Sequence, residues 1–124
     1  MSSAWHSTTP SSTSTGAPSR SSVSANEILT HLPRGQANAR TQIDKASTSV
    51  VANIAEGAGE FSPAEKARFY RIARRSAIEL AAWLDIVEQR QHAPKNLIND
   101  AIALLEQVVS MLVRLIQSCD RRGE

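Results

Sequence analysis

Between Ser62 and Arg90, apolar side chains recur at helical spacing for about eight turns, and this periodicity constrains the fold more than any other feature. Phe69, Ile72, Ala73, Ser76, Ala77, Leu80, Trp83, Leu84 and Val87 fall within an arc of roughly 140° at 100° per residue, the width of a core-facing helix. Ser62-Pro63-Ala64-Glu65 reads as a capping box, with Pro at the first helical position where its missing N–H costs nothing. A second segment, 95–118, begins near Pro94. It carries Leu97, Ile98, Ala101, Ile102, Leu104, Leu105, Val108, Val109, Met111, Leu112, Leu115 and Ile116. These span nearly half the helix circumference, wider than a monomeric bundle usually buries, which predicts packing against another subunit as well. Arg121 and Arg122 suit the cation-favouring end of that helix.

A third helix is predicted over 36–56, where Ala39, Ile43, Ala46, Ser47, Val50 and Ile54 form a narrow seam of small and β-branched residues. Gly57 stands where a left-handed residue would end it, and the short turn from Gly57 to Phe61 favours an antiparallel neighbour. Ahead of these lies a two-turn stretch, 25–32, with Ile28, Leu29 and Leu32, which Asn26 would cap and Pro33 stops. The expected architecture is an all-α antiparallel up-down bundle, residues 26–119, whose first helix is shortened or missing, followed by a short charged end at 120–124. Residues 1–25 hold 14 Ser or Thr and one charge, Arg20, and are expected to be disordered, because so little apolar surface cannot offset ordering entropy. They lack the apolar core of a secretory signal. No apolar run approaches 18 residues, so no membrane span is expected. One cysteine, Cys119, excludes an internal disulfide framework and fits a reducing cytoplasm.

Little in this sequence points to catalysis. Gly57-Ala58-Gly59 lacks the GxxxxGK[ST] of a phosphate loop and follows a helix rather than a strand, so it reads as a turn. Glu88 and His92 are four apart, but no second motif completes a bundle metal site. Cys119 has no histidine at dyad spacing and reads as packing. Neither an enzymatic constellation, a cofactor nor a small-molecule substrate is expected. The net charge of +2 hides an uneven distribution: residues 34–75 hold eight Lys/Arg against four Asp/Glu, whereas 79–124 hold five against seven. Lys66, Arg68, Arg71, Arg74 and Arg75 form the one candidate recognition surface, read either as a solvated face or as a phosphate-binding stripe. With Phe69 on the core arc and only Tyr70 at its edge, stacking aromatics are scarce and no DNA-docking motif is present. Binding there is expected to be sequence-blind and salt-sensitive. Glu56, at the negative end of its helix, and Glu79, beside the apolar arc, are expected to pair with Arg75 or Arg71, across the bundle or across a subunit boundary.

Asn53-Ile54-Ala55-Glu56-Gly57, followed by Gly59, Ser62, Glu65, Arg68-Phe69, Ile72-Ala73 and Ser76, resembles the signature of a bacterial family. Its members are the four-helix-bundle proteins of intervening sequences in large-subunit ribosomal RNA genes. The accessory variability protein of diversity-generating retroelements is similar to them. The resemblance covers roughly residues 32–118 and implies an up-down bundle assembled into a homopentameric ring, with no activity established for most members. For the retroelement relatives it implies a reverse transcriptase and nucleic acid as partners. The family's first helix has about five turns, whereas only 25–32 resembles its end here. Either that helix is truncated or the reading frame is altered, and a groove between the other helices is then expected to lose its cover.

Overall fold

The computed structural model describes residues 26–32 and 35–123, and among them every regular element is helical. The first helix, α1, is short and is described over 26–31; α2 spans Ala37–Gly59, α3 Pro63–Gln89 and α4 Lys95–Gly123. Residues 60–62 join α2 to α3, and 90–94 join α3 to α4. Such short connections run successive helices antiparallel. α3 packs along both α2 and α4, while α2 and α4 do not pack on each other, so they occupy diagonal positions about α3. The expected disorder of 1–25 lies outside the described residues.

The predicted stripes meet in one interior. Leu80, Leu84, Val108 and Leu112 are all buried, together with Ile43, Val50, Ala73 and Ala77. α1 contributes Ile28 and Leu32 to the same core. Its last carbonyls are held by α2: the Arg40 guanidinium donates to Leu29 O at 3.0 Å and to Leu32 O at 3.3 Å. A two-turn helix is too short to persist alone in water, and docked apolar side chains plus this cap are what retain it. Asn26 is already helical and so is not the cap the sequence promises.

Two boundaries differ from expectation, each for a physical reason. α2 continues through Gly59 with no glycine at positive φ, so Gly57 is not a left-handed terminator. The Tyr70 ring lies against its backbone, where a Cβ on Gly57 would stand 2.5 Å from Cε1 and 2.7 Å from Cδ1. Glycine is required there for close approach. On α3, Tyr70 is accordingly buried and Phe69 only partly so, reversing their predicted roles. The capping box is half formed: Ser62 Oγ accepts from Glu65 N–H at 3.3 Å, while the Glu65 carboxylate turns to Arg68.

α3 ends in a Schellman motif, with His92 N–H bonded to Val87 O at 3.0 Å and Gln91 N–H to Glu88 O at 2.9 Å. That motif places Gln91 at φ 56°, a left-handed conformation that costs a non-glycine residue about 1–2 kcal/mol. Gln91→Gly should therefore stabilise the bundle by about 1 kcal/mol. In urea unfolding this is read as a higher midpoint at unchanged slope.

α4 is a core helix of the bundle. It is long and apolar enough to cross a membrane by length and composition, with a mean hydropathy of 1.5 over its best 18-residue window. Its buried stripe, from Ile98 to Cys119, is a bundle-core face, which accounts for part of that apolarity. Only 33% of the window is buried within the chain, however. Half-buried side chains flank the stripe on both sides, Ile102 and Val109 on one and Leu97, Met111 and Leu115 on the other.

Candidate nucleic-acid interface

Because α2 and α4 run up while α3 runs down, the C-termini of α2 and α4 and the N-terminus of α3 share one end of the bundle. This end, 49–76 with 110–123, holds eight Lys/Arg against four Asp/Glu. The other described residues hold four against seven. The bundle is electrically polarised along its axis, and all five residues of the predicted basic stripe sit at the positive end.

Their individual environments differ. Lys66 Nζ donates to Gly57 O and Ala58 O, each at 3.2 Å. Since α2 has no basic residue in its own last turn, Lys66 supplies across the turn the cation that its negative end lacks. Lys66 thus caps α2 as well as standing beside the arginines of α3. Arg68 pairs with Glu65 at 3.1 Å and lies 4.3 Å over the Phe69 ring. Arg71 meets Asp120 at 2.8 Å and ties α3 to the last turns of α4. Arg74 is half-buried and Arg75 exposed, and neither has an acidic partner among the described residues. Both ion pairs are open to solvent. Such pairs contribute about 0–1 kcal/mol, so a phosphate can take the place of either carboxylate.

Beneath this end Tyr70, Cys119 and Arg122 cluster. Cys119 is buried, as a packing residue would be, and its Sγ accepts from Arg122 at 3.3 Å. Burial pushes the Tyr70 phenol above its ordinary range and Cys119 adds to the rise, while Arg122 opposes it. One exposed aromatic at this end was missed in the sequence. Phe61, in the turn between α2 and α3, is 99% exposed. Its signal was present, an aromatic in a three-residue connection too short to fold back over the core.

The motif residues do separate work. Asn53 Nδ2 donates to Ser49 O at 2.8 Å and to Ser49 Oγ at 3.1 Å, and Ser49 Oγ is 2.7 Å from Ser76 Oγ. Asn53 thus fixes a polar tie between α2 and α3. Glu56 and Glu79 are exposed and form no ion pair among the described residues. The expected pairing across the bundle is not made among the described residues: Arg71 bonds to Asp120, and Arg75, though free of an acidic partner, meets neither glutamate. Glu79 instead lines a small polar cleft of about 160 Å³ with Gln42, Lys45, Ser49 and Ser76. Glu88 faces Lys95 at 4.0 Å, and no cluster of three metal-ligating side chains occurs among the described residues.

Four helices with short connections, a shared aliphatic interior and an Asn-Ile-Ala-Glu-Gly end to α2 define an all-α up-down bundle of the intervening-sequence class. The family model of the 23S rRNA-intervening sequence protein matches residues 19–114, and the chain belongs to that family. The match begins upstream of residue 32, so the short α1 is within the family's span. No curated protein matches the chain.

Proposed function

We propose that this protein is a non-enzymatic, self-associating bundle that binds RNA or DNA through phosphates at its arginine-rich end. The observation that carries this reading is the axial charge separation, with Arg74 and Arg75 lacking acidic partners among the described residues and Arg68 and Arg71 paired there with solvent-exposed carboxylates. Repetition of that end in a ring would multiply its affinity, since each neutralised phosphate releases counterions and the gains accumulate. The family's name is consistent with a setting rich in RNA.

A gel shift tests it. A mixed-sequence RNA should bind at low salt and be released as salt rises. Replacing Arg68, Arg71, Arg74 and Arg75 with Glu should abolish the shift. Arg74→Gln with Arg75→Gln, which leaves both ion pairs intact, should lower the slope of log affinity against log salt by about two. Absence of any shift at low salt leaves a second reading, a pure assembly scaffold, in which Glu56 and Glu79 pair with arginines of another copy.

A specific observation favours assembly in either case. Ile78, 55% exposed, Ala81, Ile102 and Val109 line a groove of about 470 Å³ along the outside of α3 and α4. Covering it with a neighbouring copy accounts for apolar surface that the single chain leaves wet. The particle mass in solution tests this, with a pentamer as the expected value.

A further inference from the structure

Phe61 is the exposed large aromatic of the described chain, and it stands at the bundle's positive end. Four constraints fix that position. The turn it occupies is only residues 60–62, between two well-formed helices. Lys66 reaches back to the α2 terminus on one side. Tyr70 packs against Gly57 beneath it. The Arg71–Asp120 bond brings the C-terminal turns of α4, with Arg121 and Arg122, to the same end.

An aromatic ring exposed to this extent loses hydrophobic stabilisation unless something covers it. The other aromatics at this end are already covered, because the Arg68 guanidinium lies over the Phe69 ring and Tyr70 is buried. Charge identifies the kind of partner. Eight cationic side chains against four acidic ones at this end select a polyanion, and a ring beside them selects one with flat, unstacked apolar faces. Duplexes keep their bases stacked inside, whereas single strands present them.

We infer that Phe61 is a base-stacking residue and that the strand bound at this end is single-stranded. The inference rests on the phosphate-binding reading of the same end and adds which form of nucleic acid it takes. Arginines hold the backbone, and Phe61 intercalates against one base, so contact is independent of sequence.

The test uses the full chain and two probes, a labelled mixed-sequence RNA of about 12 nucleotides and the same strand annealed to its complement. Phe61→Ala should weaken single-strand binding by on the order of tenfold, leave duplex binding unchanged, and leave melting unchanged because the side chain is in water. Phe61→Trp should restore the single-strand affinity. Unchanged single-strand affinity in Phe61→Ala overturns the inference, as does an equal loss on both probes. A changed particle mass in that variant also overturns it, by making Phe61 a contact between copies. If neither probe binds the unsubstituted protein at low salt, the phosphate-binding reading fails and this inference fails with it. That result is distinct from selective failure of the Phe61 variant.

Discussion

Gly57→Ala is expected to destabilise the bundle, whereas Gly59→Ala, two residues further along the same helix, is expected to stabilise it. Both glycines are helical, so each replacement gains about 0.5–1 kcal/mol by restricting the unfolded chain. The difference lies in what the new methyl meets. At position 59 nothing stands within 4 Å. At position 57 the methyl would stand 2.5 Å from a carbon of the Tyr70 ring, which is buried and held between α2 and α4. Forcing extra volume into a packed site costs about 1–3 kcal/mol, enough to outweigh the propensity gain. Each kcal/mol lost corresponds to about 4–8 °C in the melting temperature of a domain this size. A double-mutant cycle identifies the cause: once Tyr70→Ala removes the ring, Gly57→Ala should become neutral or better. Loss of stability at 57 that persists without the ring would show that the contact is not responsible.

The same glycine shows where sequence reading succeeds and where it stops. Periodicity locates α2, α3 and α4 to within a few residues, because burial of an aliphatic stripe depends only on spacing along one helix. That α2 ends near a glycine is equally local. Why the glycine is there is not local, since it depends on Tyr70, thirteen residues away on another helix. The Tyr70–Phe69 exchange has the same origin: the Tyr70 ring lies against Gly57 of α2, a contact that spacing within α3 does not report. Charge reading meets the same limit. Four arginines share a face of α3 with Lys66 beside them, yet Lys66 caps a neighbouring helix and Arg71 bonds to Asp120, forty-nine residues on. Phe61 is legible as the reverse case, a large aromatic on a connection that offers it no interior. The half-buried flanks of α4 were also visible, in a stripe wider than a monomeric bundle usually buries.

Ile28→Ala should cost more than its place in a two-turn helix suggests. A helix this short contributes almost nothing through propensity, so its worth to the fold lies in what it buries. Ile28 is fully buried and joins the same core as Leu84, Ile98 and Leu112. Truncating a buried isoleucine to alanine removes transfer free energy and leaves a cavity, typically about 2–5 kcal/mol. Against a total of about 5–15 kcal/mol for a domain, that is a large fraction. Arg40→Met separates docking from capping. It removes only the two bonds to Leu29 O and Leu32 O, which touch solvent, and should cost about 1 kcal/mol. If α1 is an integral part of the bundle, Ile28→Ala lowers the urea midpoint for the whole cooperative transition at nearly constant slope. If α1 merely rests on the other helices, the global transition stays put, and only backbone amides of residues 26–32 lose protection from hydrogen exchange. The first outcome is expected, because Ile28 touches the interior that α3 and α4 share and cannot leave it without exposing that interior to water.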